Sequence, residues 1–283
     1  LARNLHIFDL LSGLWSAPTP SGHAPRERWG HSMNSFRQWV LLFGGHRRRG
    51  CLNDLAILDT ERMAWLHPTI SGDLPTPRGN HSAVVLSGRL WVFGGDAPLS
   101  AMLPQQVWSI GLPNSAIAHA SSRAAEGLPA ADDDAPLRWE AANSSGVPPP
   151  PCCDHSAVAC GSRVLLLGGS SAQGYLPLSV LPVFDTASLE WSSVRCSGTP
   201  PSARAGHVAS AVAAHRNVGW RVYIFGGGNS ATGFSDLHVL DDTHSWRTLD
   251  ARESGQGPDA AEGATMNCSG GLLLVFGGNT ASG

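Results

Sequence analysis

The sequence predicts an all-β fold assembled from repeated four-stranded units, and three observations predict it. An apolar run closed by two glycines occurs five times, as VLLFGG, LWVFGG, VLLLGG, VYIFGG and LLLVFGG, with first glycines at Gly44, Gly94, Gly168, Gly226 and Gly277 and spacings of 50, 74, 58 and 51 residues. A tryptophan precedes a histidine by 16 residues four times: Trp15 to His31, Trp65 to His81, Trp139 to His155 and Trp191 to His207. A short apolar stretch ends in an aspartate at Asp9, Asp59, Asp185 and Asp241, five or six residues ahead of a tryptophan. Self-similarity at such a period is the mark of a repeat architecture.

Each unit opens just after its histidine. His31, His81 and His155 stand 13 residues before their glycine doublets, His207 stands 19 before, and Ala264 holds the 13-residue position in the last unit. The segment after the histidine is strand a, and the apolar run into the glycines is strand b. Strand c ends at the aspartate, as in DLAILD and DLHVLD, and strand d carries the tryptophan. These segments are four to six residues of Val, Leu, Ile and aromatics bounded by Gly, Pro, Ser or Asn, which is strand composition at strand length. So small a sheet cannot bury both faces alone, so neighbouring units have to stack. Radial stacking of units of this size makes a β-propeller.

The recurrent residues have physical roles in such a wheel. Glycine in a strand costs about 0.5–1 kcal/mol relative to alanine, so five doublets imply positive φ or close backbone approach at the exit from strand b. Trp15, Trp65, Trp139, Trp191 and Trp246 are expected as packing wedges between blades, each worth up to about 4–6 kcal/mol of burial. The histidines recur in phase with the fold, which favours a structural hydrogen bond over a metal ligand. The aspartates are expected to accept backbone N–H bonds in turns.

These residues resemble the kelch repeat, whose order is Arg-x-x-His, an apolar run with Gly-Gly, an Asn/Asp-Asp-Leu strand ending in Asp, then Trp. The resemblance covers the chain except about 111–138 and implies a kelch-type β-propeller. Five four-stranded blades are counted in one domain over 1–283. The chain opens with the second half of a unit and closes with the first half, so the terminal blade is either completed by both ends or belongs to a six- or seven-bladed wheel. Starting without Met, the chain reads as a segment of a longer polypeptide.

Because consecutive strands run antiparallel, the b–c and d–a loops share one face, and the a–b and c–d loops share the other. Arg28, Arg78 and Arg204 each lie in a d–a loop, three residues before a histidine, and Arg47, Arg48 and Arg49 lie in a b–c loop. These six arginines are the candidate partner-binding residues. Arginine belongs to the kelch pattern at the first three positions and there can bind backbone carbonyls; the Arg47–Arg49 triplet is unrepeated and suits an acidic peptide. Peptide-binding kelch domains use this face, which adds to that reading. The connection at about 111–138, with Asp132, Asp133 and Asp134 at its middle, is expected as a flexible insertion on the opposite face.

Composition narrows the function. With 19 basic and 22 acidic side chains the net charge is −3, which argues against a nucleic-acid partner. The longest clean apolar runs, Trp39–Phe43 and Leu272–Phe276, are far too short to cross a bilayer. The six cysteines match no metal or disulfide spacing, so reduced thiols and a cytoplasmic location are expected, with no metal and no cofactor. The resemblance adds cytoskeletal or ciliary complexes as contexts. The leading expectation is a non-catalytic scaffold that binds a partner protein or acidic peptide through the b–c and d–a loop face. A second reading makes it the regulatory or substrate-recognition domain of a larger enzyme or ligase complex. A third, a metal-dependent propeller enzyme, requires a ligand tyrosine for radical copper chemistry, and the two tyrosines, Tyr175 and Tyr223, have no matching histidine pair.

Overall fold

A computed structural model describes residues 5–98, 101–112, 117, 136–213, 219–249 and 257–280. The described residues are almost entirely strands and connecting turns. The first complete sheet runs in the order a-b-c-d through Ser32–Phe36, Trp39–His46, Cys51–Asp59 and Ala64–Leu66. The next three repeat that order: Ser82–Leu86, Arg89–Phe93, Trp108–Gly111 and Leu137–Ala141; then Ser156–Cys160, Arg163–Leu167, Val180–Asp185 and Glu190–Arg195; then Val208–Ala213, Trp220–Phe225, Leu237–Asp241 and Ser245–Leu249.

Successive sheets are joined around a hub by repeated backbone hydrogen bonds. The residue just before each histidine, or before Ala264 in the last unit, donates its N–H to the carbonyl of its counterpart in the preceding repeat: Asn80 to Gly30, Asp154 to Asn80, Gly206 to Asp154 and Gly263 to Gly206, all at 2.8–2.9 Å. The second glycine of each of the first four doublets donates forward, to Arg78, Cys152, Arg204 and Ala261 of the following repeat. Gly168 and Gly169 show why no larger residue fits. Both have positive φ, and a Cβ on either would stand 2.6 Å from Arg204 O or His155 Cβ. The expected close approach is therefore to the next blade at the first glycine and to the unit's own opening histidine at the second.

A second link between blades follows strand d and was not read from the sequence. Six and seven residues after Trp15, Trp65, Trp139 and Trp191 stands a Ser-Gly pair. Ile70–Gly72, Ser145–Gly146 and Ser197–Gly198 each add a fifth, parallel strand to the outer edge of the next sheet, and Ser21 bridges Ala64 in the same way. Gly146 passes so close to Trp191 that a Cβ would lie 2.1 Å from its carbonyl oxygen. The added strand covers an edge that would otherwise be open to pairing.

The core lies between sheets. Trp139, Trp191 and Trp246 are 1–2% exposed and Trp65 is 8% exposed. The ring of Trp139 meets Phe43 of the preceding blade at 4.9 Å, Trp191 meets Phe93 at 6.0 Å, and the Trp246 indole N–H donates to Leu178 O. Trp15 departs from the wedge expectation: it is 52% exposed, because the sheet it belongs to is only a hairpin of Ile7–Asp9 and Leu14–Ser16. The hairpin Thr265–Ser269 and Leu272–Phe276 stands beside it, with Phe276 and Trp15 ring centroids 5.0 Å apart. The two hairpins meet through side chains, and among the described residues each is a separate two-stranded sheet.

Most of the 111–138 insertion lies outside the described residues. Ile117 is described, and it is 1% exposed in the cluster that holds Leu112, Leu137 and Trp139. The insertion therefore contributes to the core, a role its composition did not indicate.

Candidate functional site

The b–c and d–a loops meet on one face in all four complete repeats. Trp29 pairs with His46, Gly79 with Asp96, Cys153 with Ser170 and Ala205 with Gly228. In the first repeat the two backbone bonds are Trp29 N–H to His46 O at 3.1 Å and His46 N–H to Trp29 O at 2.7 Å. The Trp29 ring stacks on the His46 imidazole at 5.7 Å.

The six candidate arginines divide on this face. Arg28, Arg78 and Arg204 point inward, with side-chain exposures of 3% and 0% for Arg28 and Arg204 and a residue exposure of 2% for Arg78. Each donates from Nε to the carbonyl two residues earlier, at Arg26, Thr76 and Ser202. Each also donates from one terminal nitrogen to the first glycine of its own doublet, at Gly44, Gly94 and Gly226. Arg28 and Arg204 further hold Asp54 and Asp236, the aspartates that open strand c, in two-point ion pairs. These guanidiniums tie strand b to strand c, so they do not present charge on the rim. The third complete repeat lacks the pair, with Cys152 and Val180 in place of Arg and Asp. At Arg78 the aspartate position is Gln106, and burial pushes this guanidinium down to about 10.

The Arg47–Arg49 triplet is exposed. With Ala24, Pro25, Arg26 and Glu27 of the adjoining d–a loop it lines an open groove of about 840 Å³. The loop turns tightly, since Arg47 N–H donates to Gly50 O and Arg47 Nε to Arg49 O, both at 3.0 Å. Among the described residues Arg48 and Arg49 make no ion pair. Arg26 was not singled out in the sequence, and neither was Trp29, which is 44% exposed at the groove's end of the face. The signal available was an Arg-Glu-Arg-Trp string in the one d–a loop that faces the triplet.

The histidines and aspartates take structural places. His81 Nε2 lies 2.9 Å from Ser32 Oγ and His155 Nε2 lies 2.7 Å from Ser82 Oγ, each reaching the preceding blade. Burial holds His155 at about 4 and His207 at about 3, so both are neutral near pH 7. Asp59, Asp185 and Asp241 accept backbone N–H bonds from the turns that follow them, as Asp9 does from Ser12. Tyr223 lies inside strand Trp220–Phe225, and Tyr175 lies in the short strand Gly174–Tyr175.

Comparison with known proteins agrees with this architecture. The family model described as the KLHDC2/KLHL20/DRC7 Kelch-repeats domain matches residues 1–116 and 131–278. The chain belongs to the kelch-repeat family. Kelch-repeat domains serve in general as non-enzymatic interaction domains, and their members bind proteins. Acyl-CoA-binding domain-containing protein 5 of Arabidopsis thaliana is 27% identical over 95% of this chain, which spans 39% of that protein. The Rab9 effector protein with kelch motifs of Xenopus laevis is 27% identical over 80% of this chain and 56% of its own length. Kelch domain-containing protein 3 of Bos taurus is 26% identical over 87% of this chain and 62% of its own length.

Proposed function

We propose that this kelch-repeat chain is a non-catalytic interaction module that binds an acidic segment of a partner protein in the groove between residues 24–27 and 47–49. The observation that carries the reading is charge: four arginines, Arg26, Arg47, Arg48 and Arg49, line the groove with one acidic residue, Glu27. Guanidinium binds carboxylates in two-point geometry, and such charge-assisted bonds contribute about 1.5–3 kcal/mol each. Trp29 adds an exposed aromatic anchor, a residue type enriched with arginine at binding hot spots. A scaffold whose repeat arginines are spent internally is free to vary an added loop without loss of fold. A cytoplasmic location belongs to the same proposal, supported by six cysteines that are free thiols. So does recognition on behalf of a larger enzyme or ligase complex, supported by relatives of which this chain matches about two-fifths.

The test is fluorescence anisotropy with a labelled Glu/Asp-rich peptide. The triple variant Arg47→Glu, Arg48→Glu, Arg49→Glu, with its thermal melt unchanged, is expected to weaken binding by about 100-fold or more. Affinity equal to that of the parent protein would remove the groove as the site. An oligonucleotide of equal charge binding as tightly as the peptide would contradict the assignment to a protein partner.

A further inference from the structure

The loop that carries the arginine triplet ends at Cys51, and the thiol there has company that no other described cysteine has. Cys51 Sγ lies 3.1 Å from His46 Nδ1, and His46 Nε2 lies 3.1 Å from Asp96 Oδ1. A carboxylate only accepts, so Nε2 carries the proton and Nδ1 presents its lone pair to sulfur. The three residues come from two repeats: His46 ends strand b and Cys51 begins strand c of one blade, while Asp96 follows the glycine doublet of the next. The junction is held by Gly79, which pairs with Asp96 and packs so tightly on His46 that a Cβ there would lie 2.0 Å from the ring. Trp29 stacks on the ring as well. His46 and Asp96 are largely buried, with side-chain exposures of 13% and 5%, while Cys51 stays partly exposed.

We propose that Cys51 is a reactive thiol of this chain, with His46 as its base and Asp96 orienting that base, and that it exchanges with small anionic disulfides. Nucleophile, base and orienting carboxylate within hydrogen-bond reach are the arrangement that activates a thiol without a metal. In the step, the Cys51 proton passes to His46 Nδ1 and the sulfur attacks one sulfur of the reagent. The reagent's S–S bond breaks as the mixed disulfide forms, and the departing thiolate takes up the proton. Cys51 is oxidised and the leaving sulfur is reduced, so no further oxidant is consumed.

Partial burial and the Asp96 charge push the Cys51 thiol up, which keeps the resting sulfur neutral and makes the base necessary. Anionic reagents are preferred because Arg47, Arg48 and Arg49 occupy the preceding turn of the same loop. Cys152 stands near His155 in a similar way, at 3.7 Å, but is 0% exposed and out of reach of such reagents. Cys196 and Cys268 are partly exposed, and neither lies in such a histidine and carboxylate arrangement, so they serve as internal references.

The experiment reacts the intact chain with limiting 5,5′-dithiobis(2-nitrobenzoate), a dianionic disulfide, and with neutral 4,4′-dithiodipyridine, and maps the modified cysteine by mass spectrometry. Cys51 is expected to be modified first, about tenfold faster than Cys196 or Cys268. His46→Gln and the milder Asp96→Asn are each expected to slow both reagents at Cys51, His46→Gln by about tenfold, with circular dichroism unchanged. Arg47→Gln, Arg48→Gln, Arg49→Gln is expected to slow the anionic reagent alone. The proposal is overturned if Cys51 reacts no faster than the reference cysteines or if both base-side variants keep the parent rate. An anionic preference that survives the triple arginine variant would overturn the reagent class. Thiol kinetics and peptide affinity are separate readouts, so failure here leaves the groove reading standing.

Discussion

Two sets of arginines share one face of this propeller-like chain and do opposite work. Arg204 is fully buried and makes four hydrogen bonds, one each to Ser202 and Gly226 and two to Asp236, so its charge is spent on holding strands together. Arg48, in the adjoining kind of loop, is exposed and lines a groove. The difference teaches that recurrence in phase with the repeat marks a structural charge. The charge that breaks the repeat stays outside that framework, exposed on the loop, and it is the one the proposed function gives to a partner.

The largest way to break this comparison is to remove a structural guanidinium. Arg204→Met leaves Asp236, which is drawn below the ordinary carboxylate range by Arg204 and His238 despite its burial, without its main partner. A loss of about 2–4 kcal/mol in urea unfolding is expected, below the full figure for a buried pair because the stranded carboxylate is about a third exposed and keeps His238. Arg78→Met sharpens the point, because Gln106 replaces the aspartate there and no carboxylate is stranded. The expected loss is smaller, about 1–3 kcal/mol for the bonds to Thr76 and Gly94. Equal losses in the two variants would show that the aspartate contributes little.

Acid acts on the same interior. His155 and His207 titrate at about 4 and about 3 in the folded chain, below the ordinary value of 6.5. Above 6.5 both are neutral in either state and stability is indifferent to them. As pH falls below 6.5 the unfolded chain takes protons first, so each histidine removes about 1.4 kcal/mol of stability per pH unit until its folded value is reached. Asp236 acts in the same direction below pH 4, because a carboxylate depressed by folding loses its stabilising charge as it is protonated. Urea midpoints measured from pH 7 to pH 4 should fall steadily, and His207→Asn should flatten the slope. The smallest effect is expected at the groove: Arg47→Gln, Arg48→Gln, Arg49→Gln should alter stability by less than about 0.5 kcal/mol, read in the same urea experiment.

Much of the fold was legible because its signals are local. The glycine doublets, the Asp turns and the inward tryptophans each follow from the chain's own neighbourhood. Trp15 misled because burial depends on a complete neighbouring sheet, and its motif says nothing of that neighbour. The Ser-Gly strand was passed over because two residues are too few for a strand signal, although its register with each tryptophan is constant. Of the site, Arg47, Arg48 and Arg49 were legible as an unrepeated charge run. The inward turn of Arg28, Arg78 and Arg204 followed from hydrogen bonds the repeat pattern only hinted at. The Cys51, His46 and Asp96 cluster was out of reach, since Asp96 lies 45 residues beyond Cys51 and meets it only where two blades touch.

The division of labour between the two arginine sets is tested most directly by hydrogen exchange of the intact chain with and without a bound Glu/Asp-rich peptide. The account predicts slowed exchange at residues 24–29 and 46–51 and no change in the c–d turns at 60–63 and 186–189 on the opposite face. Protection confined to those turns, with the 46–51 loop unaffected, would contradict it.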